Sequence, residues 1–321
     1  MKATHDLIEF LDLAPAQESF LDAVRQGFDR PAKAIPCKFL YDQRGSELFD
    51  EICELPEYYP TRTETALLER YAPAIAGLIG PHCQLIEYGS GASTKVRLLL
   101  DALETPGSYV AVEISRTHLR QAASSIARDY PALEVIAICA DYTAEFPLPP
   151  KGAGMRVGFF PGSTIGNFKP AEAQAFLANC ARTLRGGGAM LVGVDLKKNP
   201  AVLYAAYNDS LGVTADFSLN LLARINRELG GDFKLQHFRH LAFYNADRGR
   251  IEIYIESLKD QQVSIGGSIY PLKGGERIHI EDSCKYSVDE FRALAQSSGF
   301  NPAAVWVDPQ GLFSLHMLRA R

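Results

Sequence analysis

Residues 83–113 read CQLIEYGSGASTKVRLLLDALETPGSYVAVE, and the succession of patterns inside this run decides the fold. A short apolar segment, QLIEY, passes into the glycine turn Gly89-Ser90-Gly91. TKVRLLLDAL follows, its apolar residues recurring with helical spacing, and then a second apolar segment, SYVAVE. Strands joined through a helix run parallel, because only a long crossover brings the chain back to the starting edge. The same alternation continues outward. A helix is expected upstream over 63–80. Downstream come the helix RTHLRQAASSIARDY, the strands EVIAICADY and MRVGFFPGS, the helix PAEAQAFLANCARTL and the strand GAMLVGVDL. These strands are continuous apolar runs, the pattern of strands covered on both faces. Residues 61–196 are therefore expected to form a doubly wound, mostly parallel α/β sheet.

The end of the chain returns to this sheet. VDEFRALAQSSGF reads as an amphipathic helix stopped near Gly299. AAVWVDPQGLFSLHMLRA reads as two strands joined by the tight turn Asp308-Pro309-Gln310-Gly311, which makes them antiparallel. Residues 287–321 thus complete the sheet with a terminal hairpin. Residues 197–286 differ: a helical region, PAVLYAAYNDSLGVTADFSLNLLARINREL, precedes the alternating segments HLAFYNADRGRIEIYIESL, QQVSIGGSIYPL and RIHIEDSCKY, expected to form an antiparallel sheet with one wet face. This insertion is expected to join residues 1–60 in a smaller α+β lobe. At the seam, LPEYYPTRTE (55–64) sets Tyr59 before a proline, which favours extended backbone, so Tyr58 and Tyr59 should point opposite ways. Thr61 and Glu64 have the spacing of a capping box.

The 321 residues are 47% hydrophobic and 22% charged, enough apolar material for a sizeable core and length enough for two domains. A formal net charge of -5 without any Lys/Arg-rich run argues against nucleic acid and for a small-molecule partner. Six cysteines, at 37, 53, 83, 139, 180 and 284, include no CxxC pair and read as reduced thiols. The N-terminus lacks a signal-peptide apolar region and no run reaches membrane-span length, so a cytoplasmic protein with no membrane partner is expected. His237 and His240 have no evident third ligand, so no metal is expected. Cys284 lacks a histidine partner and reads as a buried thiol.

Ligands of open α/β sheets sit beyond the carboxyl ends of the strands. Gly89 and Gly91 would let backbone approach a ligand there. Alone, GxG is equally a strand-to-helix turn, and Thr94 stands where a dinucleotide fingerprint has its third glycine. The acids at the following strand ends narrow the choice. Glu113, 24 residues after Gly89, ends the second strand, where a carboxylate can accept both hydroxyls of a ribose. Asp141 ends the third and precedes Tyr142, a carboxylate for an adenine amino group beside a ring for the base. With the closing hairpin, these features point to S-adenosylmethionine as cofactor and to a class I methyltransferase, Rossmann-like sheet. Glu87 would orient the glycine loop or reach the methionine amino group; Ser90 and Lys95 complete the cofactor set.

Five segments, LYDQRGSELFDEICELPEYYPTRTE, IEYGSGASTKVRLLLDAL, FPGSTIGNF, AYNDSLGVTADFSLNLLARINREL and EDSCKY, stand in an order that resembles the histidine-specific Nα-methyltransferases of ergothioneine biosynthesis. The resemblance spans roughly residues 30–320. It implies an S-adenosylmethionine domain joined to a smaller substrate lobe, acting on L-histidine to give the trimethylbetaine hercynine. It implies further that Asn167 binds the substrate carboxylate with Tyr207 as hydroxyl partner, that Gly162 brings backbone near the amine, and that Tyr41 lies near that amine. Tyr58 would face the imidazole, with Phe49 and Ile253 as apolar wall. Glu281 and Ser283 would be the side-chain selectors. Their chemistry suits the role: two apart in an extended segment they share a face, and a carboxylate with a hydroxyl can satisfy both ring nitrogens. Aromatic walls also tolerate a quaternary ammonium product. Some members carry aspartate at the place of Glu113 and methionine at that of Ile253; the second change alters the wall beside the imidazole. A monomer is expected.

Other readings keep part of this scheme. The same transfer to tyrosine or tryptophan would use the same fold and cofactor, and a non-catalytic S-adenosylmethionine sensor would use the cofactor edge alone. A dehydrogenase conflicts with the missing third glycine and the terminal hairpin.

Overall fold

Where the sequence is apolar without interruption, the chain forms buried strands. The structure is a computed structural model that describes residues 8–13, 19–91, 94–150, 152–184 and 186–321. The chain divides into two compact units, one of Met1–Ala16, Arg62–Leu196 and Tyr286–Arg321, the other of Gln17–Thr61 and Lys197–Lys285.

In the first unit, strands β1 (Ile8–Asp12), β2 (Gln84–Tyr88), β3 (Ser108–Glu113), β4 (Glu134–Cys139), β5 (Arg156–Phe160) and β6 (Ala189–Asp195) lie parallel. The last two strands of the chain, β12 (Phe300–Val307) and β13 (Phe313–Ala320), close the sheet antiparallel, giving the order β1-β4-β3-β2-β5-β6-β13-β12. Successive residues of β2 serve opposite faces, as the pleat requires: Leu85 joins a core with Leu68, Leu99 and Tyr109, while Ile86 joins another with Val110, Phe176 and Phe291. The chain leaves β2 towards β3 and β4 on one side and resumes with β5 and β6 on the other, so the sheet changes direction beside β2. That is where open α/β sheets take their ligands.

Strand β1 lies in the large sheet, whereas residues 1–60 were expected in the smaller lobe. The five residues IEFLD pair parallel with β4, from Ile8 opposite Val135 to Asp12 opposite Cys139. An edge strand this short, with acids at two of its five positions, has too little apolar pattern to stand out in sequence.

The seam also differs from expectation. Helix α3 (Tyr59–Ile79) follows α1 (Phe20–Phe28) and α2 (Gln43–Glu54), and its first residue is Tyr59 itself. Pro60 falls in the first turn, where a missing N–H costs nothing because that group has no helical partner. Thr61 and Glu64 form no capping box: Thr61 Oγ1 donates to Cys53 Sγ at 3.2 Å, and Glu64 turns into the interior at 0% exposure.

The second unit contains α1, α2 and two later helices. With α4 (Thr94–Ala102), α5 (Arg116–Asp129) and α6 (Pro170–Leu184) covering the large sheet, these are α7 (Pro200–Tyr207) and α8 (Val213–Leu229). The alternating segments make two sheets instead of one: β7 (Phe238–Asn245), β8 (Arg250–Ser257) and β11 (Arg277–Cys284) in one, β9 (Gln261–Ile265) and β10 (Ser268–Leu272) as a separate hairpin. Gln261 Nε2 donates to Ser257 Oγ at 2.6 Å and Ser257 Oγ to the Lys259 carbonyl at 2.8 Å, closing the turn that leads the chain out of β8. Gly266 and Gly267, at φ +56° and +86°, then make the two-residue hairpin turn that needs two left-handed residues. Asp42 caps α2 through the Gly45 N–H at 2.8 Å and takes Asn220 of α8 at 2.8 Å with the same oxygen, fixing one helix to the other.

Candidate active site

At the carboxyl edge of the large sheet, the turn after β2 runs through Gly89 (φ +75°) and Gly91 (φ +41°), a left-handed backbone that favours glycine. Gly89 N–H donates to the Val112 carbonyl at 2.9 Å, tying the turn to β3. The Tyr142 ring lies beside it, its Cε1 3.6 Å from where a Cβ on Gly89 would sit. Phe160 and Phe176 hold that ring edge-on, with centroids at 5.9 and 6.0 Å. Glu113 ends β3; its Oε1 accepts the N–H groups of Ile114 (2.8 Å) and Ser115 (3.2 Å), and burial pushes its pKa up against the pull of those amides. Asp141 Oδ1 accepts the Thr143 amide at 2.9 Å and hydroxyl at 2.6 Å, which fixes the turn after β4. Ser90 is buried in the glycine turn.

Glu87 is 2% exposed and accepts the Tyr109 hydroxyl at 2.5 Å. Burial raises its pKa to about 8, with Tyr109 and then Lys95 holding it down. Lys95, one residue into α4, pairs with Glu64 Oε2 at 2.5 Å, and the same oxygen accepts the Gly162 N–H at 2.8 Å. Room for Glu64 exists because β6 carries Gly193: a Cβ there would stand 1.9 Å from Glu64 Oε1. One buried carboxylate therefore joins the helix after the glycine turn to the end of β5. Gly162 and Ser163 are both left-handed, at φ +77° and +56°, and Ser163 Oγ accepts the Asp195 N–H at 2.9 Å. Asn167 ends the short 3₁₀ turn Thr164–Asn167 that follows.

These residues fit S-adenosylmethionine. Gly89 and Gly91 carry no side chain where backbone must approach, carboxylates stand at the ends of β2 and β3, and Tyr142 offers a ring held from behind beside the glycine turn.

The second unit collects the other expected residues around aromatic rings. Tyr41 meets Phe49 at 5.6 Å and Phe217 at 5.5 Å; Phe49 meets Tyr58 at 6.2 Å; Tyr58 meets Tyr207 at 6.2 Å. Burial, and then the neighbouring Tyr207, Cys53, Tyr41 and Glu281, push the Tyr58 phenol well above its usual pKa, so it stays a hydroxyl. Tyr59 turns away from this cluster: it is 2% exposed, with Lys198 Nζ donating to its hydroxyl at 2.6 Å.

On β11 a register shift falls between His279 and Glu281, after which Glu281 stands opposite Ile253 and Ser283 opposite Ile251. Residues directly opposite on paired strands share a face, so Ile253 and Glu281 are neighbours. Burial raises Glu281 to about 7; Lys285 pulls it down and Asp282 pushes it up. Ser283 Oγ lies 2.8 Å from the Tyr207 hydroxyl, and Lys285 Nζ donates to both, at 2.7 Å and 2.8 Å. Tyr207 and Ser283, expected at the carboxylate and the ring of the ligand, thus touch each other.

The candidate residues are divided between the units: Glu87, Gly89, Ser90, Gly91, Lys95, Glu113, Asp141, Tyr142, Gly162 and Asn167 in the first, Tyr41, Phe49, Tyr58, Tyr207, Ile253, Glu281 and Ser283 in the second. Sequence reasoning missed Glu64, Phe217 and Lys285. Lys285 had a signal, since 281, 283 and 285 follow the period of two that puts them on one face. Glu64 was taken for a cap because the spacing of a capping box is also one turn of helix. His240 serves packing, its Nδ1 2.8 Å from Ser218 Oγ and its Nε2 2.8 Å from the Tyr207 carbonyl. Among the described residues no group of three metal-ligating side chains occurs, and no helix is long and apolar enough to cross a membrane.

Sheet order, left-handed glycine turn and strand-end carboxylates together define an S-adenosylmethionine-dependent methyltransferase of the class I fold. The profile of the family described as "Histidine-specific methyltransferase, SAM-dependent" matches residues 20–320. Histidine N-alpha-methyltransferase of Mycolicibacterium smegmatis is 38% identical over 319 residues, covering 98% of this chain and 99% of its own length. Its counterpart from Mycobacterium tuberculosis is 38% identical, with 92% of each chain covered. Ergothioneine biosynthesis protein 1 of Neurospora crassa is 31% identical across 89% of this chain and 33% of its own. The chain belongs to the histidine-specific, S-adenosylmethionine-dependent methyltransferase family.

Proposed function

We propose that the protein is an N-methyltransferase that transfers three methyl groups from S-adenosylmethionine to the α-amino group of L-histidine, giving hercynine at the first step of ergothioneine biosynthesis. The observation that carries the substrate choice is the meeting of Glu281 with Ile253 and of Ser283 with Tyr207 and Lys285, in a unit whose rings Tyr41, Phe49 and Tyr58 pack together. When bound, S-adenosylmethionine supplies a methyl carbon on a sulfonium, which the amine attacks in line while sulfur keeps the pair of the breaking bond.

What the chain supplies is placement. An ammonium has no lone pair, so the amine must shed its proton before each transfer, and loss to water requires no strong base. In this reading Gly162 brings backbone near the amine, Tyr41 tunes its hydrogen bonding, Asn167 and Tyr207 take the carboxylate, and Glu281 accepts the ring N–H while Ser283 meets the other nitrogen. Glu113 takes the ribose hydroxyls, and Asp141 with Tyr142 the adenine. Tyr41, Phe49 and Tyr58 provide faces for a trimethylammonium. The reading includes a cytoplasmic, metal-free monomer acting on the free amino acid. The test is incubation of the purified chain with S-adenosylmethionine and a panel of amino acids read by mass spectrometry: trimethylated histidine supports it, and turnover of tyrosine or tryptophan with histidine untouched rejects it.

A further inference from the structure

Helix α7 stops at Tyr207 without a glycine to close it, so its last carbonyls need partners from elsewhere. Asn208 N–H donates to the Ala205 carbonyl at 3.4 Å, and Asn208 Nδ2 to the Tyr204 carbonyl at 2.9 Å. The carbonyl of Tyr207 itself is taken by His240 Nε2 of β7 at 2.8 Å. A carbonyl only accepts, so Nε2 carries the ring proton. Burial holds the His240 pKa down and keeps the ring neutral, which leaves Nδ1 to accept the hydroxyl of Ser218 on α8 at 2.8 Å. These two bonds do more than pack the ring: they fix its tautomer and its direction. The next residue is tied to the same strand, since Asn208 Nδ2 also donates to the Ala242 carbonyl at 3.2 Å. Ala242 stands opposite Ile253 on β8, and Ile253 opposite Glu281 on β11. The end of α7 is therefore registered against the strands that carry the selectors.

We propose that His240 is a positioning residue for substrate binding: by holding the Tyr207 backbone to β7 it sets where the Tyr207 hydroxyl stands beside Ser283. The inference rests on the histidine reading of Tyr207 and deepens it. The Tyr207 hydroxyl lies 2.8 Å from Ser283 Oγ, one atom on a helix end and the other on a strand. That spacing persists only while helix end and sheet keep their separation, and a polar group placed for a ligand loses its effect over small displacements. An apolar ring of the same size would fill the place of His240 equally well, yet it would leave the Tyr207 carbonyl and the Ser218 hydroxyl without these partners.

The experiment compares wild type with H240N and H240Q. Asparagine sets its amide near the place of Nδ1, within reach of Ser218 but short of the Tyr207 carbonyl; glutamine sets its amide nitrogen near the place of Nε2 and can still donate to that carbonyl. The KM for L-histidine is measured for each, while S-adenosylhomocysteine affinity by calorimetry and melting temperature report the fold. H240N is expected to raise the histidine KM about fivefold or more and H240Q to stay within about twofold of wild type, with S-adenosylhomocysteine affinity unchanged in both. In a Y207F background H240N should add no more than about twofold, because the tie then has no hydroxyl to place. A merely structural histidine would lower the melting temperature without this pattern; equal histidine KM values in H240N and H240Q, or losses that add to those of Y207F, overturn the inference. If H240N fails to bind S-adenosylhomocysteine, N208A is measured instead, since it removes the tie to Ala242; a rise of about threefold that vanishes in the Y207F background is expected, and an unchanged KM overturns the inference. A wild type that methylates histidine while H240N keeps the wild-type KM refutes only the role of His240. A wild type that leaves histidine unmethylated refutes the functional reading and this inference together.

Discussion

Replacing Glu281 with glutamine removes a charge while keeping a carbonyl that can accept a ring N–H. In the wild type the carboxyl titrates at about 7, well above the ordinary carboxylate range because it is buried. At pH 8 about ten carboxylates exist for each protonated form, and at pH 6 the proportion is inverted. The accepting form is thus lost as pH falls through this window. A hydrogen bond to a carboxylate contributes about 1.5–3 kcal/mol and a neutral one about 0.5–1.5, so the exchange should cost about 1–1.5 kcal/mol, or roughly tenfold in affinity. The assay is the KM for histidine, followed by S-adenosylhomocysteine release between pH 6 and 8. The amine and ring of the substrate titrate identically against both enzymes, so the ratio of Glu281→Gln to wild-type KM isolates the residue. That ratio should be about ten at pH 8 and approach one at pH 6. A folded-state pKa raised above the unfolded value also means that wild-type stability declines as pH rises from about 4.5 through about 7, so the variant should melt no earlier than wild type at pH 8. A ratio flat in pH, or an equal rise in the KM for S-adenosylmethionine, would refute the assignment of Glu281 to the ring.

Three further outcomes follow from the same geometry. Glu64→Ala should leave Lys95 and the Gly162 N–H without their shared acceptor, lowering stability in denaturant titration by about 2–3 kcal/mol and weakening S-adenosylmethionine binding measured by calorimetry. Tyr59→Phe loses the 2.6 Å bond from Lys198 and should cost about 1 kcal/mol of stability with the histidine KM unchanged, whereas Tyr58→Phe should raise that KM and leave the melting temperature in place; the reverse pattern contradicts the division between the two rings. Glu87→Gln should be nearly neutral for apo-protein stability below about pH 4.5, where the carboxyl is protonated folded and unfolded alike, and should become increasingly stabilising as pH rises from there to about 8, where the unfolded wild type releases a proton that the folded one keeps.

The large sheet was legible because β2 to β6 are covered on both faces and therefore read as unbroken apolar runs, and because each ends at a glycine or an acid that means something at a strand end. β1 was not, since five residues with one face towards solvent carry almost no pattern. The split of the smaller unit into two sheets depended on hydrogen bonds through the Ser257 hydroxyl, a tertiary detail that alternation cannot encode. At the candidate site, Gly89, Glu113 and Tyr142 were visible from position alone, whereas Glu281 and Ser283 needed the family resemblance. Glu64 was misread because its spacing fitted a local motif, and only the gap left by Gly193 reveals why it turns inward. Lys285 was passed over because a lysine after a strand is ordinarily wet; burial here is tolerated because two hydroxyls accept from it.

The most direct measurement is the mass of histidine after incubation with the purified chain and S-adenosylmethionine carrying a labelled methyl group. The account predicts that histidine gains three labelled methyl groups on its α-nitrogen and none on its ring. Histidine that stays unmodified while another amino acid in the same panel is methylated would contradict it.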